Sequence, residues 1–448
     1  MTLSQTLAAT YAKLTADALP AETVHAVRRH LLDTLGAALA GARQPETNIA
    51  AAAAKAILGG AGQARLWGRG ERLSVGGAAL ANGVAAHALE LDDASGCDHS
   101  GAVVVPAVLA ALEALPERVD DGDLIAAICA GYDLGRRMLE AAGGYDAHNG
   151  AGWHSTGTCG AFGATAAVAR LRGLDEATMA QAFGIAGSMS AGNWSFLMDG
   201  AMTKRLHCGL PALAGNLAVE LALQGFTGPA KVFEADWGGF FRTYAPATAQ
   251  PEMLLRELGK DWRIHNSSIK PFASCRGTHS AIEIMLALAP EVGADAIAEV
   301  EVGTNAVVAR MCGNQDIRNL VDAQMSIPYS VAVAWRRGAA DLAAFDEDVR
   351  AAADVRDAVG RIRVVHDEAV KTGIAARLRA VLADGRVVER RIDVPLGSPG
   401  NLLPDAGIER KYRDLVRPVL GEARTEELAQ RIWKLSPGGD ARDIVAFL

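Results

Sequence analysis

A mainly α-helical protein, with a large all-helical domain and a smaller α+β lid domain, is what this 448-residue sequence predicts. Three observations point there. Apolar residues at helical spacing run almost unbroken from Ser4 to about Gln224, alternating β-branched runs begin only after Trp262, and helical spacing returns after Pro404. At about 150 residues per domain the length suits two or three units. Half of the residues are hydrophobic and 21% are charged, which allows a sizeable core and excludes general disorder. Aromatics make up only 5%, so Ala, Val and Leu must supply that core, and with 48 glycines they favour closely packed helices.

The elements follow in order. Pro20, Ala21 and Glu22 open a helix whose stripe continues through AETVHAVRRHLLDTLGAALAG. Further helices are expected at Glu46–Leu58, Val75–Leu89, Ala102–Leu115, Asp121–Ala142, Thr158–Arg170, Glu176–Gly187 and Leu210–Gln224. Short Gly-rich breaks between them predict an antiparallel bundle. Strands are expected at Ala298–Gly303, Arg361–His366, Arg377–Leu382 and Val387–Val394. The last two flank Ala383-Asp384-Gly385-Arg386, a hairpin signal. Helices at Ser280–Leu288 and Pro328–Trp335 lie among the strands. The domains are therefore drawn at 1–262 (helical), 263–403 (α+β lid) and 404–448 (C-terminal helices).

Composition excludes several functions. The 44 basic and 52 acidic residues leave a net charge of −8 with no basic run, which argues against a nucleic-acid partner. Ala102–Leu112 is too short for a roughly 20-residue membrane span, and the N-terminus lacks the basic and apolar regions of a leader. Six scattered cysteines without CxxC spacing read as reduced thiols, so a cytoplasmic location is expected. An anionic substrate would be met by local cations in a pocket.

Four segments carry candidate chemistry. In HALELDDASGCDHSGAVVVP, His87, Glu90 and Asp93 recur at three-residue spacing and can share a helix face, with His99 in the loop before the next helix. This suits a general acid/base histidine poised by carboxylates. The same residues, with Asp92 and Asp98, are also metal-ligand types, although neither HExxH nor the ExxH repeat of di-metal bundles is present. A plain acidic helix end is the third reading. In GWHSTGTCGAFGATAAVARLRG, His154 precedes a helix with one side nearly bare, which fits close packing or a ligand, and GxGxxG is absent. MTKRLHCGLPALAG places Lys204, Arg205 and His207 before an apolar helix. KPFASCRGTHSAI gathers Lys270, Arg276 and His279 at a helix start, and nothing near Cys275 repeats a Cys–His nucleophile signature. Cations and imidazoles without a metal cage, phosphate loop or activated serine suit proton transfer beside a carboxylate.

Taken together, AHALELDD with HSGAVVVP, then GWHSTGTCGAFGA, TKRLHCG with GFTGPAKVFE, KPFASCRGTH, and GSPGN at Gly397–Asn401 resemble the ordered blocks of the MmgE/PrpD family. The likeness runs from Leu32 to the C-terminus. It implies a homodimer whose active site lies between helical and lid domains, with the final helices returning to the first, and no cofactor or metal. Family activities include 2-methylcitrate dehydratase, cis-aconitate decarboxylase and iminodisuccinate epimerase. The resemblance carries catalytic roles onto His99, His154, Lys204, His279 and Tyr329. Glu90, Asp93, Arg205, His207 and Arg276 are expected beside the substrate. Two departures change reach in the pocket: Glu90 stands where the usual block has Asp, and Ala94 where the decarboxylase has a hydroxyl. The loop before His99 is also one residue shorter than in the decarboxylase. The leading expectation is a cofactor-independent hydro-lyase for 2-methylcitrate or a related di- or tricarboxylate. An epimerase or decarboxylase is the alternative, and a carboxylate-binding protein without turnover is the non-enzyme one. Which imidazole is acid and which base stays open.

Overall fold

The computed structural model describes residues 1–448. Most of the chain is helical, and the strands form one two-stranded ribbon and one four-stranded sheet. The helical core is built around Val75–His87, Ser100–Ala114, Asp121–Ala141, Gly160–Leu171 and Thr203–Leu223, which pack on one another. Several begin where a side chain caps them: Ser74 accepts from Gly77 N, and Asp120 from Gly122 N. Small residues let the helices approach closely. A Cβ at Gly83 would lie 2.8 Å from the Cα of Gly209, so these two glycines set the crossing of Val75–His87 with Thr203–Leu223. The bare side of Gly160–Leu171 has the same cause, since a Cβ at Gly163 would lie 2.8 Å from the Gly131 carbonyl. Close packing, not a ligand, accounts for that stripe.

Thr203–Leu223 begins seven residues before the expected Leu210. Pro211 sits inside this helix, where its own N–H bond is lost and its ring presses on the preceding turn. Lys204, Arg205 and His207 therefore occupy the first turns of the helix, not a preceding loop. It is also the one helix long and apolar enough to cross a membrane, and over half of its most apolar stretch is buried within the protein.

The ribbon pairs β1 (Ala64–Arg65) with β2 (Arg72–Leu73). The sheet is formed by β3 (Ile297–Thr304), β4 (Ile362–His366), β5 (Ala376–Leu382) and β6 (Val387–Ile392), in the order β4-β3-β5-β6. β3 and β4 are parallel; the other pairs are antiparallel. The β5–β6 hairpin turns through Asp384 and Gly385, the glycine at φ +85° as such a turn requires. Along β5, Ala376, Leu378, Ala380 and Leu382 alternate inward. The helices His279–Val292 and Ile327–Arg337 pack on the sheet and on each other. The helix Asp405–Leu420 packs on Ala21–Gly41. From it Lys411 Nζ reaches the Asp33 carboxylate at 2.6 Å, the Lys270 carbonyl at 2.8 Å and the Leu91 carbonyl at 2.5 Å. That one ammonium ties three distant segments together beside the site.

Candidate active site

A cavity of about 560 Å³ opens between the helical core and the segments that follow it. Glu90, Asp98, His99, Arg136 and Lys204 line it from one side, and Cys275, Arg276 and Lys371 from the other. A second cavity of about 520 Å³ lies beside His25, Arg29 and His265. Arg29 there is already paired with Asp405, and His25 lies 3.0 Å from the same carboxylate, so the chemistry concentrates in the first.

The helix Val75–His87 ends at the site, and the following loop departs from ordinary backbone. Glu90, Ser95 and Asp98 all have positive φ (53°, 66° and 102°), which non-glycine residues rarely adopt. Such strain persists only where surrounding bonds over-determine it. Here Ala94 pairs with Ser268 as an isolated bridge, and Asp93 accepts from Gly101 N at 2.9 Å. The loop thereby turns Glu90 toward two buried lysines. Lys204 donates a short hydrogen bond to Glu90 Oε2, and Lys270 Nζ lies 3.3 Å from Oε1. Burial alone would raise the Glu90 pKa, but Lys204 and Lys270 overcome it and hold the carboxylate well below its usual range.

The histidines separate by environment. His87 is fully buried, and burial, with His99 and Lys204 adding to it, pushes its pKa down to about 3. It is therefore neutral. Its Nδ1 lies 2.9 Å from Asp92 and its Nε2 3.1 Å from Lys204 Nζ, so Nδ1–H donates to Asp92 and Nε2 accepts from the ammonium. His99 is the opposite case. Burial lowers its pKa, yet Asp98 and Asp92 outweigh that and raise it above the ordinary histidine value. Its Nδ1 is anchored to the Asp93 carbonyl at 2.9 Å and faces Asp92 at 3.1 Å. Nε2, with Asp98 at 3.6 Å, remains for the cavity. His154 is lowered, mainly by burial. Its Nε2 is 3.5 Å from Asp98 and its Nδ1 2.9 Å from His207 Nδ1. Trp194 and Phe196 pack edge-on against its ring. Among the three imidazoles His87, His99 and His154 only His99 is raised, and His154 stands behind it with its pKa lowered.

Not every expected residue reaches the cavity. Glu90, His99, Lys204 and Arg276 line it, and His154 and His207 adjoin them. Asp93 is buried behind the loop, held by Tyr132 at 2.7 Å and by Gly101 N. Arg205 points from the opposite face of its helix to Gln324 at 2.8 Å, because neighbouring helical residues diverge by about 100°. His279 is also off the wall. Its Nδ1 accepts from Arg276 Nη1 at 2.8 Å while Nε2 donates to the Ser274 carbonyl at 3.3 Å, so it orients the arginine. Burial and the Arg276 charge keep it neutral. Tyr329 lies elsewhere. Its hydroxyl donates to the Ala344 carbonyl at 2.8 Å and its ring packs on Phe345, because its helix Ile327–Arg337 faces the sheet. Sequence reasoning left Lys270, Arg136 and Lys371 out of the site. Lys270 was signalled by its block; nothing local marks Arg136 on its helix or Lys371 in its loop.

Two groups have metal-ligand types close together, His87/Asp92/His99 and Asp98/His99/His154. Their charge is already balanced. The carboxylates of Glu90, Asp92 and Asp98 face the ammonium groups of Lys204 and Lys270 and the His99 ring, whose pKa they raise. A divalent cation would meet those positive groups within the same shell, so the residues do not fit a metal. The six cysteines are buried and unpaired.

A buried cluster of imidazoles, carboxylates and ammonium groups opening on a cavity edged by cations, carried on a helical core with a small attached sheet, marks a class of mainly helical proteins with a densely ionisable pocket. Comparison with known proteins narrows the class. Residues 5–252 match the MmgE/PrpD N-terminal domain and residues 272–435 the MmgE/PrpD C-terminal domain. The chain is 29% identical to a cis-aconitate decarboxylase of Aspergillus terreus, over 97% of this chain and 93% of that protein. It is 27% identical to the cis-aconitate decarboxylase-like protein oryM of Aspergillus oryzae, over 96% and 94%. The Homo sapiens cis-aconitate decarboxylase is 31% identical over 49% of this chain and 46% of its own length. This chain belongs to the MmgE/PrpD family, whose members include enzymes.

Proposed function

We propose that the protein is a lyase that decarboxylates an unsaturated tricarboxylate of the cis-aconitate class. The observation that carries this reading is the His99 ring, buried beside Asp92 and Asp98, anchored through Nδ1 and presenting Nε2 to a cavity with cations around it. Full-length similarity to proteins named cis-aconitate decarboxylases supports it over the 2-methylcitrate hydro-lyase first expected. The chemistry needs little beyond these groups. In cis-aconitate the CH2-bound carboxylate leaves as carbon dioxide as its C–C bond breaks. The electron pair moves through the allylic system to the carbon beside the far carboxylate, and that carbon takes one proton. Arg276 has no partner for its buried Nε and lines the cavity, so it is available to hold a carboxylate. Lys371 lines the same cavity and offers charge to a remaining carboxylate, and Arg136 lines it while held to Glu140 at 2.9 Å. His99 Nε2–H supplies the proton. Lys204 stabilises developing negative charge from a dry position, where such stabilisation is strongest.

The test incubates cis-aconitate, 2-methylcitrate and iminodisuccinate separately with the protein in deuterated water and follows the products by mass. Carbon dioxide release from cis-aconitate with one deuterium in the product is expected. His99→Gln and Lys204→Ala should each cost about two to four orders of magnitude in kcat while the melting curve stays cooperative. Dehydration of 2-methylcitrate would instead establish the hydro-lyase, and exchange into iminodisuccinate alone the epimerase. Thermal stabilisation by citrate without any turnover would identify a binding protein.

A further inference from the structure

We infer that His207 is the solvent end of a proton relay that recharges the acid at the buried site, a deepening that rests on the decarboxylase reading above. Decarboxylation of a tricarboxylate trianion yields a dianion and carbon dioxide and consumes one proton per turnover. When His99 protonates carbon it is left neutral, only 4% exposed, between Asp92 and Asp98. A proton must come from water before the next cycle.

One chain of contacts leads outward from it. Asp98 Oδ2 lies between two imidazoles, 3.6 Å from His99 Nε2 and 3.5 Å from His154 Nε2, with Thr156 Oγ1 beside the same His154 nitrogen at 3.3 Å, so a small closing movement completes the contact. The strained backbone at Asp98, φ +102°, points this side chain between the two rings. His154 is wholly buried, yet its other nitrogen is 2.9 Å from His207 Nδ1. His207 is half-buried in the first turns of Thr203–Leu223, and is the most exposed of the three rings in this chain. His87, the other ring packed on His99, leads nowhere, since Asp92 and Lys204 close both of its nitrogens.

The transfer balances. A proton enters at His207 Nε2 as Nδ1–H passes to His154 Nδ1. His154 Nε2–H then passes to Asp98, and Asp98 returns a proton to His99 Nε2. No bond to carbon changes and nothing is oxidised. The rings finish in the opposite tautomer and reset by turning, as any imidazole chain does. The groups facing His207 are His154, Lys204 and the ring of Phe196. Burial, His154 and Lys204 push its pKa down to about 3, so it carries the proton only in passing.

The experiment measures cis-aconitate turnover by His207→Ala and His207→Gln at low and high buffer concentration. Both variants should lose tenfold or more in kcat at low buffer with KM unchanged. Imidazole, 4-methylimidazole and phosphate should restore His207→Ala in order of their acid strength, while leaving the wild-type rate alone. A structural prop would not follow the pKa of the added acid. Wild-type rates in both variants at low buffer would overturn the relay and mean that cavity water recharges His99 directly. Slow variants that respond to no buffer acid would overturn it equally. Absence of wild-type turnover on cis-aconitate would sink the decarboxylase reading instead, so the two failures are distinguishable.

Discussion

Glu90 neutralises two buried ammonium groups at once, and its loss should be felt first in stability. Removing one partner of a buried ion pair leaves an uncompensated charge at a cost of about 3–5 kcal/mol. Glu90→Gln keeps the shape and removes the charge that Lys204 and Lys270 share. Urea unfolding should show a loss of that order; an unchanged midpoint would mean that the lysines have another counter-charge. At this scale the residue types were legible in the sequence, since His99, His154, Lys204 and Arg276 stand in motif-like segments. Their protonation was not. His87 and His99 lie in one short stretch, yet one is pushed down to about 3 and the other raised, because burial dominates at His87, with His99 and Lys204 adding to it, while Asp98 and Asp92 outweigh burial at His99. Burial is set by packing of remote segments, so no local pattern carries that difference.

Helix Val75–His87 presents the site loop and helix Thr203–Leu223 presents Lys204, so the crossing of these two elements governs how far apart they stand. Gly83→Val would push its side chain into the Gly209 backbone, 2.8 Å from a Cβ. Overpacking of this kind costs about 1–3 kcal/mol. A lowered melting temperature with reduced turnover is expected; a variant equal to wild type in both would show that the crossing yields freely. Most elements were legible from spacing and turn chemistry, as with the Asp384-Gly385 hairpin. The early start of Thr203–Leu223 was not, because buried neighbours sustain a helix through Pro211 that propensity alone would begin there. Tyr329 shows the same limit: its motif is local, but the direction its helix faces is decided by the sheet beneath it.

For the whole molecule, the buried neutral histidines predict acid lability. Burial holds His87 and His207 down to about 3 and His148 down to about 4. In the unfolded chain each titrates near pH 6.5. Below that value the unfolded state binds protons that the folded state does not, so stability is complete above about pH 6.5 and falls as the pH drops toward the folded values. Glu90 and Asp92, both held low, act in the same sense below the ordinary carboxylate range. His99, raised, acts oppositely and loses its contribution as the pH climbs through its folded value. Melting temperatures measured from pH 7 to 4.5 should fall steadily; a flat profile would contradict the buried, neutral state of these rings.

Helical periodicity, the change to alternating strands and the family blocks are properties of neighbouring residues, so the sequence by itself determined the mainly helical class, the small sheet and the supply of imidazoles and cations. The tertiary structure alone decided which of them meet. Charge balance among Glu90, Asp92, Asp98, Lys204, Lys270 and His99, and the diversion of Asp93, Arg205, His279 and Tyr329 to other partners, depend on distances of a few ångströms between remote segments. Electrostatic and packing energies change steeply over such distances, whereas the pattern along a chain does not encode them.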